Sequence, residues 1–209
     1  AHSDDKGLVV PPKLAPIHGV VVPIWMKDHQ VDDMLKAGQE LFNKLQETYP
    51  GLDFELDDRR QQKAGVKFAQ WEQKGVPVRL ELGPRDLEKG QVVVVRRDTG
   101  EKEFMSQDEA IAKFGELMTT IQSDLYEKAK AFREENTHLV DDYETFKSSL
   151  EEKGGFYLAH WDGTDETEAK VQAETKATIR AIPFGDTEEG KCMVTGKPSK
   201  QRVVFAKAY

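Results

Sequence analysis

The N-terminal part of the chain alternates between the apolar periods of strands and helices. Residues 18–24 form a short run rich in β-branched side chains, which is typical of a buried parallel strand. In residues 31–45 apolar side chains recur every three or four positions, which predicts an amphipathic helix. By the same criteria residues 52–56 predict a second strand and residues 64–74 a second helix.

The next predicted strand carries two charged residues. In residues 78–82 every second side chain is apolar, and Arg79 and Glu81 lie between them. Successive side chains of a strand point to opposite faces, so this pattern predicts that the charged pair points away from the core. A further strand is predicted at residues 92–95, followed by a tight turn at residues 98–100.

A long helix is predicted after Ser106, because Ser106 and Glu109 have the spacing of a capping box. Its apolar stripe continues to about residue 135. The resulting order β-α-β-α-β-β-α predicts an α/β domain built on a mixed sheet. A small α+β unit is predicted from residue 137, with these elements: helices at 142–153 and 166–176, and strands at 156–160, 178–182 and 202–205.

Composition indicates a soluble globular protein, with 33% charged and 38% hydrophobic residues. No apolar run approaches the roughly 20 residues needed to span a bilayer, so no membrane partner is expected. The polar start at residues 1–6 predicts no signal peptide and suggests a chain cut from something longer. A single cysteine, Cys192, excludes an internal disulfide and agrees with a cytoplasmic location.

Charge is distributed unevenly. The net charge of −8 argues against a protein that coats nucleic acid through bulk electrostatics. Residues 57–102, however, contain eleven Lys and Arg against eight Asp and Glu, a local net charge of +3. This segment fits a selective RNA site as well as it fits a solvated surface of mixed charge. No nucleophile motif and no histidine pair with metal-ligand spacing is found, so we do not expect catalysis within this chain.

One segment resembles a known family. Residues 68–86 read FAQWEQKGVPVRLELGPRD and closely resemble the anticodon-binding domain of prolyl-tRNA synthetases. The terminal Gly-Pro-Arg-Asp turn alone also occurs in related synthetases, but the blocks in this order are specific to the family. The resemblance continues in these blocks and covers nearly the whole chain: 7–12, 15–17, 96–102, 177–180, 190–192, 195–198 and 205–209.

The resemblance implies a mixed five-stranded sheet with flanking helices, and a set of anticodon-binding residues. Glu72, Arg79, Arg85 and Lys102 match the positions that read or brace the anticodon in relatives. Proline anticodons share two guanines, and RNA sequence is read from unstacked loop bases. The N1–H and N2–H₂ donors of guanine suit a carboxylate, and its O6 and N7 suit an arginine. Without the resemblance, Arg79 and Glu81 would read as a surface ion pair worth about 0–1 kcal/mol.

The resemblance also implies three regions. Residues 1–17 match the tail of a class II catalytic domain, residues 18–136 the anticodon-binding domain and residues 137–209 the C-terminal domain. Lys13 falls where relatives often have the arginine of an ATP-binding motif; lysine keeps the charge but loses the planar fork, and an extended linker is the alternative. Tyr209 is expected to be ordered, with its terminal carboxylate turned toward the active site of the full enzyme.

In many relatives the C-terminal domain holds zinc with four cysteines. The corresponding positions here are Asp162, Thr167, Cys192 and Thr195, so three of the four thiolates are missing and zinc is predicted to be absent. Asp162 is expected to form hydrogen bonds to Thr195 or nearby amides instead. A hydrophobic core is expected to hold the domain, built from Phe156, Tyr157, Leu158, Trp161, Ile179, Ile182, Phe184, Val203, Val204 and Phe205.

The function implied by the resemblance is recognition of the tRNA(Pro) anticodon loop. The full enzyme would use ATP, Mg²⁺ and proline and would form a homodimer through a catalytic domain that this chain lacks; the fragment itself would need no cofactor. The alternative is a non-catalytic accessory module that reuses an anticodon-binding domain. The tail at residues 1–17 favours the enzyme, and the upstream sequence would decide between the two.

Overall fold

The computed structural model describes residues 2–185 and 188–207. The chain divides into two compact units, Ala1–Glu127 and Lys128–Tyr209. This division falls inside a long helix, and the boundary expected at residues 136–137 stays a prediction. No helix within the described ranges is both long enough and apolar enough to cross a membrane.

The first unit contains the predicted strands and helices in the predicted order, together with four short elements that the periodicity did not predict: β1, β2, α3 and β7 in the list below. Two 3₁₀ turns, Pro12–Leu14 and Asp28–Gln30, precede β3 and α1. The elements are β1 (Ser3–Asp4), β2 (Gly7–Leu8), β3 (Gly19–Pro23), α1 (Val31–Thr48), β4 (Phe54–Leu56), α2 (Ala64–Lys74), β5 (Val78–Leu82), α3 (Pro84–Glu88), β6 (Gln91–Arg96), β7 (Lys102–Ser106) and the start of α4 (Gln107–Glu135).

A five-stranded mixed sheet organises this unit, with strand order β4-β3-β5-β6-β7. The pairs β3–β4 and β3–β5 are parallel, whereas β5–β6 and β6–β7 are antiparallel. This arrangement confirms the predicted α/β class and mixed five-stranded sheet. The separate hairpin β1–β2 was not predicted, since two-residue strands leave no readable period.

The two faces of the sheet bury different clusters. Val21 and Leu80 belong to the larger core, which also contains residues of α1 and α4 such as Leu41 and Phe114. Val20, which points to the other face, packs with α2. Strand alternation thus places α2 on the face opposite the larger core, and this face contains the candidate site described below.

The start of α4 agrees in part with the predicted capping box. The backbone amide of Glu109 donates to the Ser106 hydroxyl oxygen at 3.1 Å, as a cap requires. The Glu109 carboxylate pairs with Lys113 Nζ at 2.7 Å, one helical turn further along. Only the first half of the box is therefore formed as expected.

Arg79 and Glu81 are not the surface ion pair that the strand pattern alone suggests. Both side chains point away from the larger core, but α2 covers that face, and all five residues of β5 are buried. The alternation indicated two faces correctly. It could not indicate that a helix covers the second face, because alternation shows which way a side chain points but not what packs against it.

The second unit is a small α+β fold. Its four-stranded sheet has the order β10-β13-β9-β8, in which only β8–β9 is parallel. β11 and β12 form a separate two-stranded ribbon. The elements after α4 are β8 (Thr137–Leu139), α5 (Tyr143–Lys153), β9 (Phe156–His160), α6 (Asp165–Thr175), β10 (Ala177–Ala181), β11 (Gly190–Lys191), β12 (Pro198–Ser199) and β13 (Arg202–Lys207).

The core of the second unit agrees with the expected residues only in part. Tyr157, Val203 and Phe205 are almost fully buried, as expected. Phe156, Ile182 and Phe184 are exposed instead, and the last two lie beyond the end of β10. The core instead contains residues of α5 and α6 that the sequence did not lead us to expect, including Phe146, Leu150 and Val171.

We expect Gly19→Ala to destabilise the first unit by about 1–3 kcal/mol, because overpacking a filled core forces neighbours to move. A Cβ added at Gly19 would lie 2.7 Å from Phe114 Cζ. The matched control is Gly51→Ala, which would meet no atom within 4 Å and should change stability little. Chemical denaturation measures both; equal stability of the two variants would contradict the packing described here.

Candidate functional site

Helix α2 is fixed over the sheet by a buried carboxylate that precedes it. Asp57 Oδ2 accepts a hydrogen bond from Trp71 Nε1 at 2.7 Å, and Asp57 Oδ1 accepts one from Arg59 Nε at 2.8 Å. Lys67 Nζ donates to the Asp57 backbone oxygen at 2.9 Å and lies 4.5 Å from the centre of the Trp25 ring. These contacts hold both the first and the last turn of α2.

The Asp57 carboxylate is ionised although it is buried. Burial opposes ionisation of Asp57, but the hydrogen bonds from Arg59 and Trp71 and the charge of Lys67 outweigh it and lower the pKa of the carboxyl. Burial also lowers the pKa of Lys67, and the charge of Asp57 opposes that shift. A buried charge without a partner is costly, so each group depends on the other.

A cleft of about 210 Å³ lies beside α2, and it contains three of the four residues expected to bind the anticodon. Glu72 comes from α2, Arg79 from β5 and Lys102 from β7. In the sheet, Arg79 pairs with Val95, and Val95 pairs with Lys102. The side chains of Arg79 and Lys102 therefore lie in one row across the sheet, below Glu72 of the helix.

The guanidinium of Arg79 is bound on three sides. It donates to Glu72 Oε1 at 3.1 Å and from Nε to Glu81 Oε1 at 3.0 Å, and its centre lies 4.3 Å from the centre of the Phe68 ring. Its side chain is only 7% exposed. Both carboxylates and the ring face are thus engaged before any ligand arrives.

Glu72 and Lys102 are the more accessible members of the cleft. The side chain of Glu72 is 25% exposed and that of Lys102 is 51% exposed. Lys102 Nζ lies 3.4 Å from both carboxylate oxygens of Glu81. The cleft is therefore lined both by a carboxylate that Arg79 holds and by a more exposed cation.

Arg97 connects the N-terminal hairpin to this cleft. Its guanidinium donates to both Asp4 carboxylate oxygens, at 2.8 and 2.6 Å, and to the backbone oxygen of Glu72 at 3.0 Å. The hydrogen bonds and charge of Arg97 lower the pKa of Asp4 well below its usual range. Lys6, in the turn of that hairpin, lines the cleft as well.

The remaining predicted site residues lie elsewhere. Arg85 is exposed on α3 and does not line the cleft. Lys13 lies in a 3₁₀ turn and lines a separate cavity of about 510 Å³ with His18 and Tyr126. Tyr209 lies outside the described residues.

Sequence reasoning assigned no role in the site to Phe68, which lines the cleft, or to Glu81, which binds Arg79. Phe68 lies one helical turn before Glu72, so the spacing i, i+4 would have placed the two on one face of α2. Glu81 follows Arg79 by two residues and so shares its face of β5. Glu81 was considered only as the partner of Arg79 in a surface ion pair.

Three of the four positions that the resemblance aligns with zinc ligands form a hydrogen-bonded cluster around Asp162. Its Oδ2 accepts from the hydroxyls of Thr195 at 2.8 Å and Thr167 at 3.0 Å, and its Oδ1 accepts from Thr164 at 2.9 Å. The expected bond between Asp162 and Thr195 is thereby confirmed. Cys192 is buried in the adjacent turn, where its amide donates to the backbone oxygen of Lys197 at 2.8 Å.

This cluster is poor in metal ligands. Across the described ranges, no group of three or more His, Cys, Asp and Glu is placed to hold a metal ion. Burial raises the pKa of Asp162, but hydrogen bonds from Thr195, Thr164 and Thr167 outweigh that effect, so the pKa is lowered overall. One carboxylate, one thiol and neutral hydroxyls are not a set that zinc commonly accepts. The absence of zinc from the protein stays a prediction.

The fold agrees with what comparison with known proteins finds. Residues 19–117 match the family model described as "Anticodon binding domain". Residues 143–209 match the model described as "Prolyl-tRNA synthetase, C-terminal". The chain therefore contains an anticodon-binding domain followed by a C-terminal domain of the prolyl-tRNA synthetase type.

Relatives named proline–tRNA ligase match the chain over its whole length. The relative from Christiangramia forsetii is 51% identical over 209 residues, and that from Rubrobacter xylanophilus is 50% identical over 208 residues. The chain spans 42% and 43% of the length of these two proteins. The resemblance inferred from the sequence is confirmed: the chain is a homologue of the C-terminal part of prolyl-tRNA synthetases.

We expect Asp162→Ala to lower the free energy of unfolding by about 1–3 kcal/mol, because threonine hydroxyls lose a charged acceptor. The lowered pKa of Asp162 makes this contribution present above about pH 4, and it is lost as the pH falls through the folded-state pKa. Denaturation of wild type and variant between pH 7 and pH 2.5 tests both statements. The control is Asp165→Ala in the first turn of α6. A loss that does not shrink at low pH, or a wild-type stability that collapses with a chelator, would contradict this account.

Proposed function

We propose that this chain is the tRNA-recognition part of a proline–tRNA ligase and that the cleft of Glu72, Arg79 and Lys102 reads a guanine of the tRNA(Pro) anticodon. The observation that carries the proposal is the Glu72 carboxylate, which is held by Arg79 yet remains partly exposed at the cleft. The matches to the anticodon-binding model and to ligases support the same reading.

Guanine fits this arrangement because its donors and acceptors are complementary to it. The Glu72 carboxylate can accept from N1–H and N2–H₂ together, a pair of donors that adenine does not present. Lys102, which is exposed, can donate to O6 on the same base. A fixed acceptor beside a cation thereby selects guanine over the other bases.

Arg79 serves in this proposal mainly as a positioning residue. Its guanidinium is already bound to Glu72 and Glu81, so contact with a base requires it to release one carboxylate. Holding Glu72 in one rotamer reduces the entropy lost when a base binds. Arg85, exposed outside the cleft, would contact the RNA away from this guanine.

For the whole protein we propose the activity that the relatives' name states, the attachment of proline to tRNA. We also propose that the whole protein uses ATP and Mg²⁺ and is located in the cytoplasm. The catalytic domain and homodimer contacts would come from the part of the relatives that this chain does not span. Residues 1–17 would be the end of that domain, with Lys13 near ATP, and residues 18–136 and 137–209 the two domains that follow. Tyr209 would reach the active site. The match of the whole chain to ligases favours the enzyme over an accessory module.

We expect Glu72→Gln to weaken binding of a tRNA(Pro) anticodon stem–loop roughly tenfold or more, because an amide cannot accept both guanine donors. Replacing the recognised guanine by inosine, which lacks the N2 amine, should weaken wild-type binding by a similar factor. The variant should discriminate little between guanine and inosine. Fluorescence anisotropy with the four combinations measures the coupling between residue and base.

Glu40→Gln provides the control for loss of one negative charge, since Glu40 is exposed on α1, which packs on the opposite face of the sheet. It should bind the stem–loop as wild type does. Equal loss with Glu40→Gln and Glu72→Gln, or additive effects of Glu72→Gln and inosine, would refute the assignment of Glu72. A second pair, Arg79→Lys and Arg79→Ala, should both weaken binding, since lysine lacks the fork that holds Glu72 and Glu81.

A further inference from the structure

Strand β7 carries an exposed aromatic side chain beside the cleft. Phe104 is 64% exposed, whereas its neighbour Met105 is buried in the larger core. β7 is the edge strand of the sheet, so no further strand lies beyond it in the described structure. Burial of a phenylalanine side chain is worth about 1.5–3 kcal/mol, and this residue gains little of that within the first unit.

The register places Phe104 on the face of the sheet that contains the cleft. Phe104 pairs with Val93, and Val93 pairs with Glu81. Lys102 precedes Phe104 by two residues, so the two side chains leave the same face about 7 Å apart. The ring therefore extends the surface formed by Arg79 and Lys102 toward the edge of the sheet.

Both aromatic residues that line the cleft already have a cation against the ring. One face of the Phe68 ring is covered by the Arg79 guanidinium, 4.3 Å from the ring centre, and Lys102 Nζ lies 5.9 Å from the same centre. The side chain of Phe104, by contrast, is largely exposed. An RNA loop that presents one base edge to Glu72 must unstack the bases beside it, and an unstacked base gains free energy by stacking on an aromatic face.

We propose that Phe104 is a stacking platform for an unpaired base of the RNA loop, next to the base held by Glu72 and Lys102. This inference rests on the proposed function. It adds a contact that selects for unstacked single-stranded RNA without reading which base is present, because every base has a π-face.

The test measures binding of the chain to the tRNA(Pro) anticodon stem–loop with three variants of Phe104. Phe104→Ala should weaken binding about 5- to 100-fold, the range for loss of one base–aromatic stack. Phe104→Tyr keeps the ring and should bind within about twofold of wild type, while Phe104→Leu keeps the bulk and should resemble Phe104→Ala. Thermal melts should give the same stability for all four proteins, since the side chain is exposed.

A series of stem–loops with one abasic nucleotide at each loop position identifies the base. At one position beside the recognised guanine, removal of the base should weaken wild-type binding and leave Phe104→Ala unaffected. Unchanged affinity of Phe104→Ala in a chain whose binding depends on Glu72 would overturn this inference and leave the proposed function standing. An equal loss at every abasic position would also overturn it. Failure of the wild type to bind any stem–loop would reject the proposed function and this inference with it.

Discussion

The guanidinium of Arg79 is the contact on which the candidate site depends. It joins a strand to a helix, because its two carboxylate partners come from β5 and from α2. A buried arginine must have its partners in place, since a charge left unpaired in the interior costs several kcal/mol. The position of Glu72 is therefore tied to the integrity of the sheet, and its carboxylate is oriented before any RNA is bound.

A second buried charge supports the first. Asp57 holds α2 through Trp71 and Lys67, and these two residues flank Phe68 in the sequence of the helix. The helix is thus fixed from beneath by hydrogen bonds to charged groups, and not by apolar packing alone. Charged contacts of this kind hold the helix in one defined geometry. The proposed site requires such a geometry to distinguish guanine from adenine.

The sequence predicted the framework of the first unit well, since β3, α1, α2 and β5 each have a clear period of apolar residues. It failed for Arg79 and Glu81, whose burial depends on a helix that packs over the strand. The alternation of apolar residues in a strand does not show whether another element covers its second face. Very short elements such as β1 and β2 were also missed, and Phe184 was placed in a core that it does not join. The candidate site was found through family resemblance. Glu72, Arg79 and Lys102 come together, whereas Arg85 lies outside the cleft, because a match along the sequence does not report where side chains lie in space.

Photo-crosslinking tests the central claim most directly. A tRNA(Pro) anticodon stem–loop carrying 6-thioguanosine at one of the two shared guanines would be bound, irradiated and mapped on the protein by mass spectrometry. If the cleft reads an anticodon guanine, one of the two positions should crosslink to residues 68–81 or 96–104, where the cleft and its edge lie. Crosslinks from both positions that fall only on residues 143–207 would contradict it.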